Sequence, residues 1–128
     1  MISLNPRLYT SLFRLVLLLY LLIISWLAFG TPPSGAAASV NDKVLHAGAF
    51  VVMAFLLEAA LPLLSFWWLK VVLLLSYGLL IEVVQWQLPY REFSLLDLLA
   101  DSAGVLIYWV LSVPIWKISD LFLSKAEA

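Results

Sequence analysis

Apolar residues fall into four long runs, separated by three short polar or proline-bearing breaks. The runs lie at about Tyr9–Phe29, Lys43–Leu61, Leu63–Leu88 and Leu95–Trp116. Each is close to the ~20 residues that a helix needs to cross the hydrocarbon of a bilayer. None alternates apolar and polar positions with a period of two, as a membrane barrel does. Helices are therefore expected, because a backbone in lipid must satisfy its hydrogen bonds within its own segment. Gly30–Asn41 (GTPPSGAAASVN) reads as a loop from its small and polar residues and its two prolines. Leu61-Pro62-Leu63-Leu64-Ser65 reads as a turn tight enough to make the second and third runs an antiparallel hairpin, and Pro89–Ser94 as the last turn. The tail Lys117–Ala128 reads as a short amphipathic end that leaves the membrane. The pattern predicts an all-α membrane protein, a four-transmembrane-helix bundle forming one domain over residues 1–128.

Composition agrees. Hydrophobic residues make up 65% of the 128 and charged residues 12%, and the mean hydropathy is +1.08. Soluble domains average roughly 45–50% apolar and roughly 25% charged residues. A chain this short could not hide so much apolar surface from water. The net charge of −1 gives no electrostatic case for nucleic acid as a partner. The absence of cysteine excludes disulfides, thiolate catalysis and cysteine-rich metal sites, and a single histidine, His46, excludes paired-histidine motifs.

Lysine and arginine set the expected orientation. Arg7, Arg14, Lys70, Lys117 and Lys125 fall on one side of the four runs, and Lys43 and Arg91 on the other. The richer side is cytoplasmic by the positive-inside rule, which puts both termini in the cytoplasm. Trp67, Trp68 and Trp116 then mark the inner interface, and Trp26, Trp86 and Tyr90 the outer one. A rival reading takes Arg7 and Arg14, the apolar stretch after them and Ala36-Ala37-Ala38 as a cleavable secretory signal. It leaves the topology of the remaining three spans unchanged.

The chain has seven basic and eight acidic residues, yet Glu82, Gln85, Arg91, Asp97 and Asp101 crowd into twenty positions in or beside hydrocarbon. A charge at the centre of a membrane helix costs roughly 2.5–3.5 kcal/mol on insertion scales. At a rise of ~1.5 Å per residue, His46 lies about 5 Å below Lys43, Gln85 about 6 Å below Pro89, and Glu82 and Asp101 each about 10 Å below their helix ends. Three helices thus carry polar groups in two matched layers of one membrane half. Two carboxyls at one depth need a proton or a nearby cation, supplied by His46, Lys43, Arg91 or a bound ion. Structural roles compete at every position. Ser94 and Asp97 fit a capping box, His46 fits a bridge between helices, and Arg91 fits a side chain that snorkels to headgroups. Glu58 and Lys70, at inner helix ends, are expected to face the interface or to pair across the hairpin. Gly48, Gly78 and Gly104 are expected to permit close helix contacts.

Asp42-Lys43-x-x-His46-x-x-x-Phe50 in the second run, Glu82-x-x-Gln85 in the third, Pro89-x-Arg91 in the turn, and Asp97 followed by Gly104 in the fourth resemble the VanZ-like family of bacterial membrane proteins. The resemblance covers roughly Leu27–Val110. The family pattern usually has asparagine where this chain has Asp101, so the departure adds a charge. The resemblance implies an inner-membrane protein of the bacterial cell envelope. The family's founding member is associated with low-level resistance to the glycopeptide teicoplanin.

Four functions compete. The first is a binding or modulating module in which Asp42, Lys43, His46, Glu82, Gln85, Arg91, Asp97 and Asp101 hold a lipid headgroup, a cell-wall precursor or an envelope protein, with Arg91 and Lys43 as the anion contacts. The second is a membrane-embedded enzyme acting on a lipid or lipid-linked envelope substrate. There His46 or Glu82 is the general base and Arg91 stabilises an anionic transition state. Neither Ser94 nor Ser102 is tied to His46 in sequence as a nucleophile would be. The third is an ion pathway, disfavoured because the polar groups occupy only one membrane half. The fourth is a polar network that only specifies packing. No cofactor and no metal site are assigned; oxygens of Glu82, Asp97 and Asp101 would make a hard-cation site without a ligand motif.

Overall fold

A computed structural model of the chain describes residues 6–31, 36–64 and 66–126; side chains are not described at 6, 36–41, 66, 67 and 114–126. Four helices, α1 (Pro6–Ala28), α2 (Ala36–Ala60), α3 (Val71–Trp86) and α4 (Leu95–Ala126), carry four segments long and apolar enough to cross a membrane, Arg7–Ala28, Asp42–Ala60, Trp68–Trp86 and Leu95–Val113. A π-helical turn, Phe66–Lys70, leads into α3. No strand occurs among the described residues.

The helix limits differ from those expected. Helix α2 opens at Ala36, so the last half of the expected loop is helical. Alanine is the strongest helix former, and the small Ala36-Ala37-Ala38 run that reads as loop by polarity favours helix by backbone propensity. The same three residues form the first turn of α2, and residues 32–35 of the expected loop lie outside the described residues. Helix α3 is shorter than the run Leu63–Leu88. Its end tightens through Gln87 N–H to the Val84 carbonyl (3.0 Å) and Leu88 N–H to the Gln85 carbonyl (3.0 Å). The residue before a proline is disfavoured in helix, which stops the chain at Pro89. Helix α4 continues past Trp116 to Ala126, so the backbone of the expected amphipathic tail is helical as far as Ala126. The interface roles expected of Trp67 and Trp116, and the charges of Lys117 and Lys125, rest on side chains outside the described ones.

Helix α2 is the centre of the bundle. It packs mainly on α4 and on α1, while α3 packs chiefly on α4. Phe50, Met53, Ala54 and Leu57 recur on one helical face and are buried, with Leu74 of α3 and Val105 of α4 completing the core. Leu17, Tyr20, Leu21 and Ile24 lay one stripe of α1 against that core. The rest of α1 is exposed apolar surface (Leu8, Leu12, Leu15, Leu19, Leu22), which suits contact with lipid.

Two glycines set the closest approaches. A Cβ at Gly104 would collide with the Ala47 backbone carbonyl, and one at Gly78 would stand 2.7 Å from Asp101 Oδ2 and 3.1 Å from Phe50 Cζ. Gly48 departs from expectation: nothing lies within 4 Å of its missing Cβ, and it faces outward. Lys70 and Glu58 pair across the hairpin, Nζ to Oε1 at 3.2 Å, with Lys70 fully buried. Arg14 Nε donates to the Ala60 carbonyl (3.1 Å), which caps the end of α2. These contacts mark the end of the bundle where α1 begins; the end of α1, the start of α2, the end of α3 and the start of α4 meet at the other.

Candidate functional site

At that other end the polar residues form a connected cluster built by α2, α3 and α4. Asp42, Lys43 and His46 stand within five positions of α2, so that Asp42 and His46 share a face one turn apart. Helix α4 runs parallel beside α2 and supplies Asp97 and Asp101, again one turn apart. The glycine contact at Ala47 and Gly104 holds these two helices close enough for short side chains to meet across them.

Lys43 Nζ is paired with Asp97 Oδ1, lies 3.4 Å from Asp42 Oδ2 and 3.5 Å from Ser94 Oγ. His46 Nδ1 is 2.8 Å from Asp101 Oδ1. The bond fixes the ring, and with a carboxylate that only accepts as its partner it would place the proton on Nδ1. The ring's other nitrogen, Nε2, turns toward Asp42 Oδ1 (4.0 Å) and Asp97 Oδ2 (3.9 Å). The expected bridging role of His46 and its place in the polar site are thus one geometry: it joins α2 to α4 through the buried Asp101.

The capping box is shared between helices. Ser94 caps α4 in the expected way, its Oγ accepting the Asp97 N–H at 3.3 Å. The return bond does not come from Asp97. It comes from Glu82 of α3, whose Oε2 accepts the Ser94 N–H at 2.7 Å. A carboxylate at the positive end of the α4 dipole is favourably placed. Asp97 is thereby released to Lys43. Glu82 is fully buried, and its second oxygen, Oε1, has no hydrogen-bond partner among the described residues.

Gln85 and Arg91 do something the sequence does not suggest. Gln85 Nε2, Tyr90 Oη and Arg91 Nε donate to three consecutive carbonyls, those of Ala28, Phe29 and Gly30, each at 2.9 Å. These are the orphan acceptors at and just beyond the end of α1. Arg91 therefore stands on α1, not against Glu82 or Asp101. An open cavity of about 390 Å³ lies beside this grip, lined by Gln85, Pro89, Tyr90, Arg91, Glu92 and Asp97. Asp97 is the residue common to the cavity and to the cluster.

The structure brings Asp42, Lys43, His46, Asp97 and Asp101 into direct contact, joins Glu82 to them through Ser94, and sets Gln85 and Arg91 at the cavity. Sequence reasoning missed Tyr20 and Tyr77. Tyr20 Oη donates to the Ala49 carbonyl (2.9 Å); Tyr77 Oη bonds the Leu21 carbonyl (3.1 Å) and the Ser25 hydroxyl (2.9 Å). Aromatic residues in apolar runs read as packing, and only their phenol groups in a chain rich in Leu signal a polar seam. The described residues close enough to share a metal ion are Asp42, His46 and Asp97, whose ligand atoms lie within 4.8 Å of one another. Glu82, Asp97 and Asp101 are not such a group.

Comparison with known proteins gives one match. The VanZ/LLP1 family model matches residues 12–117, which reaches deeper into α1 than the quoted motifs do. No curated protein and no solved structure matches significantly.

Proposed function

The chain belongs to the VanZ/LLP1 family of multi-pass membrane proteins, and we propose that it sits in the bacterial inner membrane and binds the polar head of an envelope lipid or lipid-linked cell-wall precursor. The cluster faces outward in this reading, with both termini in the cytoplasm, which the distribution of lysine and arginine supports. One observation carries the proposal: buried Glu82, Gln85, Asp97 and Asp101 gather at one end of an apolar bundle, beside a cavity that Arg91 lines. Packing alone gives no reason to bury an unpartnered carboxylate oxygen, and ionisable groups inside a membrane mark functional sites by default. Among the described residues Arg91 bonds through Nε alone, which leaves the other guanidinium donors for a phosphate.

The test is native mass spectrometry of protein released from nanodiscs holding phosphatidylethanolamine, phosphatidylglycerol and a polyprenyl phosphate in equal amounts. The wild type should retain one phosphate-bearing lipid selectively, and Arg91→Gln should retain about tenfold less, the equivalent of ~1.4 kcal/mol. Equal retention of all three lipids by both proteins would sink the proposal.

A second reading, a membrane-embedded enzyme, is favoured by the His46–Asp101 bond. A histidine oriented by a carboxylate through Nδ1 presents a basic Nε2, the arrangement of a general base. Ser102 is not its nucleophile, because its hydroxyl donates to the Leu98 carbonyl at 2.8 Å. Ser94 is occupied in capping α4. A reaction here would act through water. Release of a soluble product from the retained lipid, lost in His46→Gln with lipid retention unchanged, would replace the binding reading with this one.

A further inference from the structure

The geometry points to a divalent metal site formed by Asp42, His46 and Asp97, with Asp101 as the carboxylate that positions the histidine. It does not depend on the headgroup reading, since the metal alone is the probe.

Three observations converge. First, the donors are directed. Lys43 engages one oxygen of each carboxylate, Oδ1 of Asp97 and Oδ2 of Asp42. The remaining oxygen of each, Oδ2 of Asp97 and Oδ1 of Asp42, stands 3.9 Å and 4.0 Å from His46 Nε2. Ligand atoms on one ion stand about 3–3.5 Å apart when metal–ligand distances are about 2.0–2.2 Å. Small side-chain rotations close the difference, and the partly exposed Asp42 is free to make them.

Second, the histidine is prepared. A metal-bound imidazole almost always donates its other N–H to a carboxylate or carbonyl, which fixes the ring and raises its basicity. Asp101, buried, accepts at 2.8 Å on Nδ1 and leaves Nε2 as the ligand atom. A histidine that served only to bridge α2 and α4 would not need its second nitrogen set between two carboxylate oxygens.

Third, charge is out of balance. Four carboxyls, those of Asp42, Glu82, Asp97 and Asp101, share this end of the bundle with Lys43 and His46. Arg91 stands at the cavity rim, its Nε on the Gly30 carbonyl, and pairs with none of these four carboxyls. Protons or a cation must supply the balance in a low-dielectric setting. Nε2 and the two oxygens, within 4.8 Å of one another, are a ligand set that a cation would take. One imidazole and two carboxylates suit Zn²⁺ or another divalent first-row ion, and three protein ligands leave a coordination position open.

The experiment uses the full chain, purified in detergent and stripped of metal with a chelator. Zn²⁺ binding is measured by calorimetry, and Co²⁺ binding by its visible absorption bands. The wild type should bind one equivalent, with Zn²⁺ displacing Co²⁺. Asp42→Ala should weaken Zn²⁺ binding by tenfold or more, and it is the decisive variant because Asp42 lies on the partly exposed side where folding does not rest on it. His46→Ala should abolish binding and the Co²⁺ bands. Asp101→Asn should weaken it about 10–100-fold, as loss of an orienting carboxylate does at other sites. Glu58→Gln, at the opposite end of the bundle beside Lys70, should leave it unchanged. No stoichiometric binding by the wild type, or binding that Asp42→Ala and His46→Ala leave intact, overturns the site.

Discussion

Glu82 has two oxygens in unlike surroundings. Oε2 takes the Ser94 N–H at the head of α4, and Oε1 is buried without a partner among the described residues. Glutamine can keep the first contact and carries no charge. Glu82→Gln should therefore survive heating in detergent at least as long as the wild type, because it removes a charge retained for function rather than for stability. Glu82→Ala leaves the Ser94 N–H without an acceptor, at about 1–3 kcal/mol, and should inactivate faster. The half-life at one temperature is the right measure, since membrane proteins seldom unfold reversibly. A Glu82→Gln protein that decays as fast as Glu82→Ala would make Glu82 a structural charge and remove the centre of the proposed site.

Among the elements, the pairing of α2 with α4 decides everything at the polar end. The cluster exists because Asp42, Lys43 and His46 on one helix face Asp97 and Asp101 on the other, and Gly104 is what lets the two backbones meet. Small residues at such contacts replace the hydrophobic driving force that lipid does not supply. Gly104→Ala must push against the Ala47 backbone carbonyl, which cannot rotate away. It should cost about 1–3 kcal/mol, as overpacking does, and shorten the half-life in detergent. Gly48→Ala has open space around it and should be neutral or stabilising, by about 0.5–1 kcal/mol of helix propensity. Equal effects at the two sites would show that the α2–α4 approach is looser than described. A second device works between elements: Gln85, Tyr90 and Arg91 hold the last carbonyls of α1, so the turn after α3 fixes where α1 ends.

For the whole molecule, the question is which side of the membrane the cluster faces. Chain direction puts Lys43 and Arg91 at the same end of the bundle, and the orientation proposed from the charge distribution would put that end outside. The chain has no cysteine, so single substitutions report cleanly. Lys43→Cys and Arg91→Cys, expressed in intact cells, should both react with an impermeant thiol reagent, while Arg7→Cys should react only after the membrane is opened. Labelling of Lys43→Cys and Arg91→Cys from opposite sides would contradict the fold itself. Labelling of both only in opened membranes would keep the fold and reverse the proposed orientation.

The sequence by itself determined the helical class, the four spans, the order of the turns and the family. These follow from local signals: runs of about 20 apolar residues, proline at the breaks, and motifs at fixed spacing along single helices. It also gathered the polar groups at one end of the bundle, because depth along each helix follows from the rise per residue. It mistook the first residues of α2 for loop, where polarity and helix propensity disagree. Partner choice was decided only in three dimensions. That Asp97 goes to Lys43 while Glu82 caps α4, that Arg91 and Gln85 hold α1, and that Gly104 but not Gly48 touches a neighbour all depend on the rotation of each helix about its own axis. In lipid that rotation is set by packing against neighbouring helices, since the bilayer gives an apolar helix no preferred inward face.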